Sequence, residues 1–409
     1  MAEPTPLDPF APVGGPVAEH PEVHDRLRRA GPVVRVPAPA GGSVWIVTDH
    51  PIARAVLADP TFAKDPALAP TDWPGREPGL EPPASTVRSL TTTDGPQHRA
   101  LRRVHAPLFT RRQIGSRRAR MAEIARELLS GLAERSAAAG RPVDLVAEFL
   151  PHYPLLVVCD LLGIALPGVA RAADAAAMTR GDAEHAHGGL AELQSLVERA
   201  LAGADRTDSE VMRFAARARR ELPDLRDDEI AYQLTGLVFA GQITTESFLG
   251  FLVAHHLADR AADRAGDGNG RDAALVAELL RIHPPAPFTL WRFTTAPVVL
   301  AGHHLPAGAP VLVDIEGIGT DPARFPDPHT ADPHRPSAPD LAFGDGPHAC
   351  VGAGLAQAEA QVLVEVLRSA FPQARLAVPF AQLRRDGTTA RARRLAALPV
   401  WLDEPLAPR

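Results

Sequence analysis

Cysteine is nearly absent from this 409-residue chain, which has two. That is too few for a disulfide framework, and the two sit in unlike surroundings. Cys159 lies in the apolar run Leu155-Leu156-Val157-Val158-Cys159-Asp160-Leu161-Leu162 and reads as a buried side chain. Cys350 lies in a glycine-rich stretch. Such a pair fits a reducing cytosol. An excess of positive charge is lacking as well. The net charge is −6 and the pI near 6.2, which argues against a nucleic-acid partner. The N-terminus, Met1-Ala2-Glu3-Pro4-Thr5-Pro6-Leu7-Asp8-Pro9, is proline-rich and acidic. It has neither a signal-peptide core nor the ~20 apolar residues that span a bilayer. The expectation is a soluble, cytoplasmic protein that engages no membrane.

What the chain does have is apolar mass. At 45% hydrophobic it can bury a large core, and its length alone would allow two or three domains. Residues 1–32 read as a Pro-rich lead and 33–409 as the body. The segments 33–36 and 44–47 flank Gly41-Gly42 and read as a hairpin. Asp49 is placed to cap the helix that follows, with Pro51 near its first turn. The Pro-, Gly- and Asp-rich stretch 66–83 reads equally as a functional lid or as a surface insertion. Helical periodicity then dominates, near 114–137, 145–162, 190–202 and 208–221. His185 and His187 lack any recognised ligand spacing and read as a polar loop beside Gly188-Gly189.

The stretch with the most chemistry is Phe343-Gly344-Asp345-Gly346-Pro347-His348-Ala349-Cys350-Val351-Gly352. Its glycines and proline force a tight loop, and residues 353–371 behind it carry apolar side chains at helical spacing. Cys350 is thus aimed at a helix N-terminus, where free N–H groups favour a thiolate. A thiolate so held serves as a nucleophile or as a metal ligand.

This stretch resembles the haem-thiolate signature of the cytochrome P450 superfamily, of the soluble bacterial type, at Phe343, Gly346, His348, Cys350 and Gly352. Four further segments resemble that family in the same order. Asp94-Gly95-Pro96-Gln97-His98-Arg99-Ala100-Leu101-Arg102 is similar to the family helix whose His and Arg hold a haem propionate. His98 and Arg102, four apart, share a face. Ala240-Gly241-Gln242-Ile243-Thr244-Thr245 lies mid-way along the longest helical stretch, 228–258, and resembles the oxygen-side segment of the family. A Gly followed by two Thr predicts a kink or widened turn there. Glu278-Leu279-Leu280-Arg281, followed by His283-Pro284-Pro285, resembles the family's Glu-x-x-Arg helix, whose pair joins a later Arg, here Arg335. Arg292 corresponds to the second propionate-binding Arg. The segments 298–300 and 311–313 read as a hairpin.

Two departures stand out. The family's usual Asn-Arg before Asp-Pro is replaced by Gly319-Thr320, a structural change. Ile243 stands where the family has an acid that, with the Thr, delivers protons to bound oxygen; isoleucine relays none. Gln242 is a candidate to orient a water in its place.

The resemblance implies the P450 fold: mainly α with a small β-rich region, one catalytic domain. It implies haem b with Cys350 as the iron ligand, and His98, Arg102, Arg292 and His348 around the propionates, with Phe343, Gly344 and Gly352 shaping the loop. It places Ala240, Gly241, Gln242 and Thr244 at the oxygen side, and Glu278, Arg281 and Arg335 in a structural network. Electrons are expected from a separate ferredoxin and reductase, whose acidic surface suits Arg99, Arg103, Arg111 and Arg112. The substrate is expected to be a small-molecule or peptide metabolite, bordered by residues 85–90, 236–244, 286–290 and 387–390, and the protein a monomer. Three functions follow: an O₂-dependent monooxygenase of specialised metabolism; oxidative coupling of aromatic or peptide substrates without oxygen insertion, motivated by Ile243; and a non-catalytic haem-binding homologue.

Overall fold

The computed structural model describes residues 7–38, 42–70, 87–165, 183–203, 209–259, 268–335, 341–387 and 393–403. Its axis is the helix Asp227–Ala258, about 48 Å long at the usual rise. Asp227, Asp228 and Glu229 fill its first turn against the positive end of the dipole, and Glu229 accepts the Arg226 N–H at 3.0 Å. Past Thr245 the helix is buried on nearly every side. Phe248, Leu249, Phe251, Leu252 and Val253 share one core with side chains of helices Arg111–Ala139, Tyr153–Leu162 and Ala353–Ala370. A second core joins its first half to helices Ala183–Leu201 and Glu210–Glu221. Two stretches, Leu145–Leu162 and Asp227–Ala258, are apolar and long enough to cross a bilayer, but 72% and 67% of an 18-residue apolar window in each is buried inside the protein. They are core helices.

The α-helical pattern is unbroken from Asp227 to Ala258, so the widened turn expected near Gly241 is not formed. Local contacts absorb the poor helix formers. Gly241 lies against helix Tyr153–Leu162, where a Cβ would stand 3.6 Å from Val158 Cγ2. The Thr244 hydroxyl donates to the Ala240 carbonyl at 2.7 Å, which ties it to its own helix.

The largest sheet has five strands, in the order Val33–Pro37, Ser43–Val47, Pro310–Val313, Arg292–Thr294, Phe62–Ala63. The first two form the expected antiparallel hairpin, with Val34 opposite Ile46. Asp49 caps the next helix, its Oδ1 accepting the Ile52 N–H at 3.0 Å. The hairpin expected between 298–300 and 311–313 is not formed. Val298–Leu300 pairs instead with His303–Leu305 across Ala301-Gly302, both of which have positive φ. That two-residue turn matches the twist of the strands. Its second strand is short, and its two histidines are exposed, so no apolar alternation marked it. Val311–Val313 is left free to pair in parallel with Trp45–Val47.

One loop expectation gives way to helix. The segment carrying His185 and His187 belongs to helix Ala183–Leu201, although their side chains lie outside the described residues. Gly268-Asn269-Gly270 opens helix Gly268–Ile282. Of the stretch 66–83, residues past 70 lie outside the described residues, as do 85, 86 and 388–390 of the substrate-bordering segments.

Residues 7–32, read as a lead, are woven into the body. Strand Gly15–Pro16 pairs with Arg384–Arg385, and helix Glu22–Ala30 buries His24 and Leu27. His24 Nδ1 is 2.8 Å from Asp314 Oδ1, its Nε2 is 3.1 Å from Glu316 Oε2, and Arg393 Nε donates to that same oxygen at 2.8 Å. Burial alone would lower the His24 pKa, but Asp314 and Glu316 outweigh it and raise it to about 10. Burial alone would raise Glu316, but Arg393 and His24 hold it well below the usual carboxylate range. The signs follow from linkage. The His24 contribution is complete below its unfolded value near 6.5 and is lost as pH rises toward 10. The Glu316 contribution is complete above about 4.5 and is lost as pH falls. Urea midpoints measured from pH 5 to 10 are expected to decline above pH 6.5, and His24→Asn is expected to flatten that decline.

Candidate active site

The cysteine loop is built on backbone turns that only glycine tolerates. Gly344 and Gly346 have φ of 68° and 71°. A Cβ at Gly346 would stand 2.7 Å from the Leu57 carbonyl oxygen, so the loop rests directly on helix His50–Ala58. Asp345 fastens it there: Oδ1 accepts the Gly346 N–H at 2.8 Å and Oδ2 receives Arg54 Nε at 2.6 Å. The Cys350 N–H closes the loop onto the Phe343 carbonyl at 2.8 Å, and Phe343 packs against the main core. Gly352 leads into helix Ala353–Ala370.

Cys350 is exposed by surface area, yet protein crowds around it closely enough for burial to dominate its chemistry. A surface that is accessible and also closely surrounded is the wall of a recess. Burial raises the thiol above its ordinary value. The N–H groups of Gly352 and Ala353 and the Arg102 cation pull the other way, and do not prevail. The helix N-terminus therefore acts as the sequence predicts, but the balance favours the thiol. A metal cation facing the sulfur reverses that balance.

Four nitrogen-bearing side chains, His98, Arg102, Arg292 and His348, gather beside the loop. Helix Gly95–His105 carries His98 and Arg102 on one face. Arg102 donates to the Ala349 carbonyl at 2.6 Å, next to the cysteine. The His98 and His348 rings lie 4.0 Å apart between centroids. Arg292 is buried and donates to the Phe62 carbonyl at 2.9 Å. Two buried nitrogens here, His98 Nε2 and Arg292 Nε, meet no protein acceptor. Leaving a buried donor unmade costs about 1–3 kcal/mol, so an anionic acceptor fits between these side chains. Burial, with help from His348 and Arg102, lowers His98 to about 4, and burial lowers Arg292 to about 10.

One carboxylate of this cluster is missing from the set of site residues chosen from sequence. Asp94 does not cap its helix through its side chain. Its Oδ1 is 2.9 Å from His348 Nε2, and its Oδ2 accepts the Lys64 N–H at 2.6 Å. Nothing in the sequence marks this reach.

On the central helix, Gly236, Leu237, Ala240, Ile243 and Thr244 form a partly accessible stripe. Gln242 does not belong to it. The side chain is buried on another face and donates to the Pro151 carbonyl at 3.3 Å. Residues two apart on a helix point in nearly opposite directions, so Gln242 cannot serve beside Thr244 as expected. Gly241 is likewise turned to Val158.

Glu278, Arg281 and Arg335 are brought together. Glu278 receives Arg281 through both oxygens, at 2.9 and 2.6 Å, and Arg335 Nε at 3.0 Å. Arg281 also donates to the carbonyls of Gly319 and Pro328, each at 2.7 Å. The Gly319 departure is explained here, since a Cβ would stand 2.4 Å from the Arg281 carbonyl oxygen.

The family description cytochrome P450 matches residues 273–371, which span this network and the cysteine loop. Beyond that segment, the cytochrome P-450 monooxygenase DoxA of Streptomyces sp. (strain C5) is 47% identical over 97% of this chain and 98% of its own length. The chain belongs to the cytochrome P450 family. The P450 monooxygenase PikC of Streptomyces venezuelae is 35% identical over 86% of this chain and 84% of its own. The solved structure of CYP154C4 from Streptomyces sp. W2061, 29% identical, superimposes with a TM-score of 0.80 over 98% of both chains. This P450 is therefore a monooxygenase-class oxidoreductase with a haem-iron cofactor and the P450 fold. Its residues fit that cofactor: a recessed sulfur under N–H groups, and beside it two buried nitrogens that call for an acceptor.

Proposed function

We propose that this P450 binds haem b through Cys350, and that His98, Arg102, Arg292 and His348 hold its propionates. The observation that carries this reading is the pair of buried nitrogens, His98 Nε2 and Arg292 Nε, on the same wall as the cysteine loop. When bound, haem with a thiolate ligand supplies oxygen activation, because the electron-rich sulfur favours O–O cleavage. The reaction is O₂-dependent oxidation of a small-molecule intermediate in specialised metabolism, as the monooxygenase relatives support. Residues 33–409, together with the segment 7–32 woven into them, act as one catalytic unit in the cytoplasm, and electrons come from a separate ferredoxin. Arg99, Arg103, Arg111 and Arg112 give that acidic partner a basic face.

The chain's own residues manage the protons. The Thr244 hydroxyl gives its hydrogen to the Ala240 carbonyl, so toward the accessible stripe its oxygen can accept a hydrogen bond from a water or a substrate hydroxyl. Ile243 beside it neither donates nor accepts. Proton supply then depends on ordered water or on the substrate itself. Thr244→Ala is expected to lower product formed per O₂ consumed by roughly tenfold or more. Product yield measured against oxygen uptake checks this.

Turnover under ¹⁸O₂ with a ferredoxin and reductase tests the main reading, which expects labelled oxygen in the product. Ile243 favours one second reading, oxidative coupling, because bond formation between substrate radicals requires no oxygen transfer to the substrate. A product two hydrogens lighter and unlabelled would establish it in place of the first.

A further inference from the structure

Arg88 stands in one of the segments expected to border the substrate, yet its guanidinium is engaged by two carboxylates at the head of the central helix. Its Nε and Nη2 donate to Glu229 Oε1 and Oε2 at 3.2 and 3.1 Å, and its Nη1 donates to Asp224 Oδ2 at 2.6 Å. Nη2 also donates to the Asp224 carbonyl at 2.9 Å. The Glu229 side chain is 1% exposed and that of Asp224 71%, so the grip runs from the buried first turn of the helix to the surface turn ahead of it. A cation beside a helix N-terminus is ordinarily unfavourable, because the dipole is positive there. The carboxylates outweigh that term. Burial alone would raise the Glu229 pKa, but Arg88 and Arg226 hold it below the usual range.

The main chain of the same segment joins the two sides of the site. The Arg88 carbonyl accepts from Gln233 Nε2, about one turn before Gly236 and Leu237 of the accessible stripe. Two residues on, the Leu90 carbonyl lies 3.3 Å from His348 Nδ1 at the cysteine loop. Residues 87–93 therefore bridge the central helix and the cysteine loop. Between these ends the segment is braced by its own hydroxyls. Thr93 Oγ1 donates to the Ser89 carbonyl at 2.6 Å, and Thr92 Oγ1 accepts the Ser89 N–H at 3.2 Å. A segment braced within itself opens as a unit, so a strong attachment at one end bears on the whole of it.

We propose that Arg88 is a positioning residue that clasps residues 87–93 to the head of the central helix and so sets how readily bulky ligands reach and leave the space beside the stripe. The proposal rests on the haem reading above and concerns access to the same site. A small ligand passes with the clasp closed; a large one exchanges when Arg88 releases its carboxylates.

The test uses the holoenzyme and two azoles that bind haem iron, imidazole and the bulky triaryl azole clotrimazole. Their association and dissociation are followed by stopped flow through the Soret shift. Arg88→Gln and Glu229→Gln are each expected to raise both clotrimazole rates about tenfold, because losing one charge-assisted hydrogen bond enlarges the open population by that factor. Imidazole rates are expected to stay within about twofold. Glutamine at position 229 still accepts the Arg226 N–H, so the helix start is kept. The double variant is expected to go no further than either single one. Asp224→Asn, a change on the exposed side, is expected to give about a threefold rise. Should Arg88→Gln fail to take up haem, Asp224→Asn decides alone, and unchanged clotrimazole rates there overturn the proposal. Equal acceleration of both azoles would make Arg88 a general stabiliser of the helix end and overturn it, as would no acceleration of either or additive effects in the double variant. A wild type without an azole Soret shift would sink the haem reading and this proposal together; a normal shift with no difference among the variants sinks this proposal alone.

Discussion

Cys350→Ser is expected to abolish the red-shifted Soret band of the reduced, carbon-monoxide-bound protein and to reduce turnover to background, while the fold survives. The spectral half follows from the ligand. Only a thiolate sulfur gives the electron donation on which O–O cleavage depends, and a serine hydroxyl keeps its proton. The structural half follows from the surroundings. The Cys350 side chain is accessible rather than packed in the core, and the loop is held by other groups. These are the Phe343 carbonyl, the Asp345–Arg54 pair and the close seat of Gly346 on Leu57. None of them involves the sulfur. A substitution that leaves such contacts alone changes stability by about 0.5 kcal/mol or less. The thermal midpoint of the haem-free protein should therefore match wild type. A variant that keeps the shifted Soret band would remove Cys350 from the iron.

The parts of the site written in short, local spacings were legible in the sequence. His98 and Arg102 share a face because four residues make about one helical turn. Gly346 had to be glycine, and the structure shows the carbonyl that forbids anything else. The central helix was visible from its acids and its apolar run, to within a residue at its start. What failed was whatever depends on which way a side chain turns against a neighbour. Gln242 is adjacent in sequence to Ile243 and near Thr244, yet the helix points it at Pro151. The glycine that predicted a widened turn is a contact point for Val158. Asp94 stands in the sequence only as the first residue of the segment that carries His98 and Arg102. Its partners, Lys64 and His348, lie 30 and 254 residues away and leave no periodic trace. The hairpin at Val298 was misjudged for a related reason. Its partner strand carries two exposed histidines, and segment 311–313 is the more apolar of the two.

Glu278→Gln is expected to be the most destabilising single change in the protein, through charge rather than size. In the wild type one carboxylate is the shared counter-charge of two guanidinium groups, Arg281 and Arg335, and also accepts the Asp332 N–H at 3.3 Å. Burial alone would raise its pKa, but the two arginines lower it below the usual range. Its contribution is thus complete above about pH 4.5 and disappears below. Glutamine keeps the shape and leaves both arginines without their counter-charge. Breaking a buried pair in this way costs about 3–5 kcal/mol. At least as important is what the arginines hold. Arg281 binds the Gly319 and Pro328 carbonyls, Arg335 binds the Pro326 carbonyl at 2.8 Å, and both guanidinium groups lie over the Phe325 ring. This segment leads toward the cysteine loop, so its loosening should lower haem content as well as the denaturation midpoint. Denaturant titration and the haem-to-protein ratio measure the two effects separately. Arg281→Lys should fall nearly as far, because an ammonium cannot reproduce two bonds to one carboxylate while reaching two carbonyls. Replacing all three members with methionine should recover part of the stability lost in Glu278→Gln, since no unpaired charge then remains buried. If the triple variant is no more stable than Glu278→Gln, the cost lies in lost backbone contacts rather than in stranded charge.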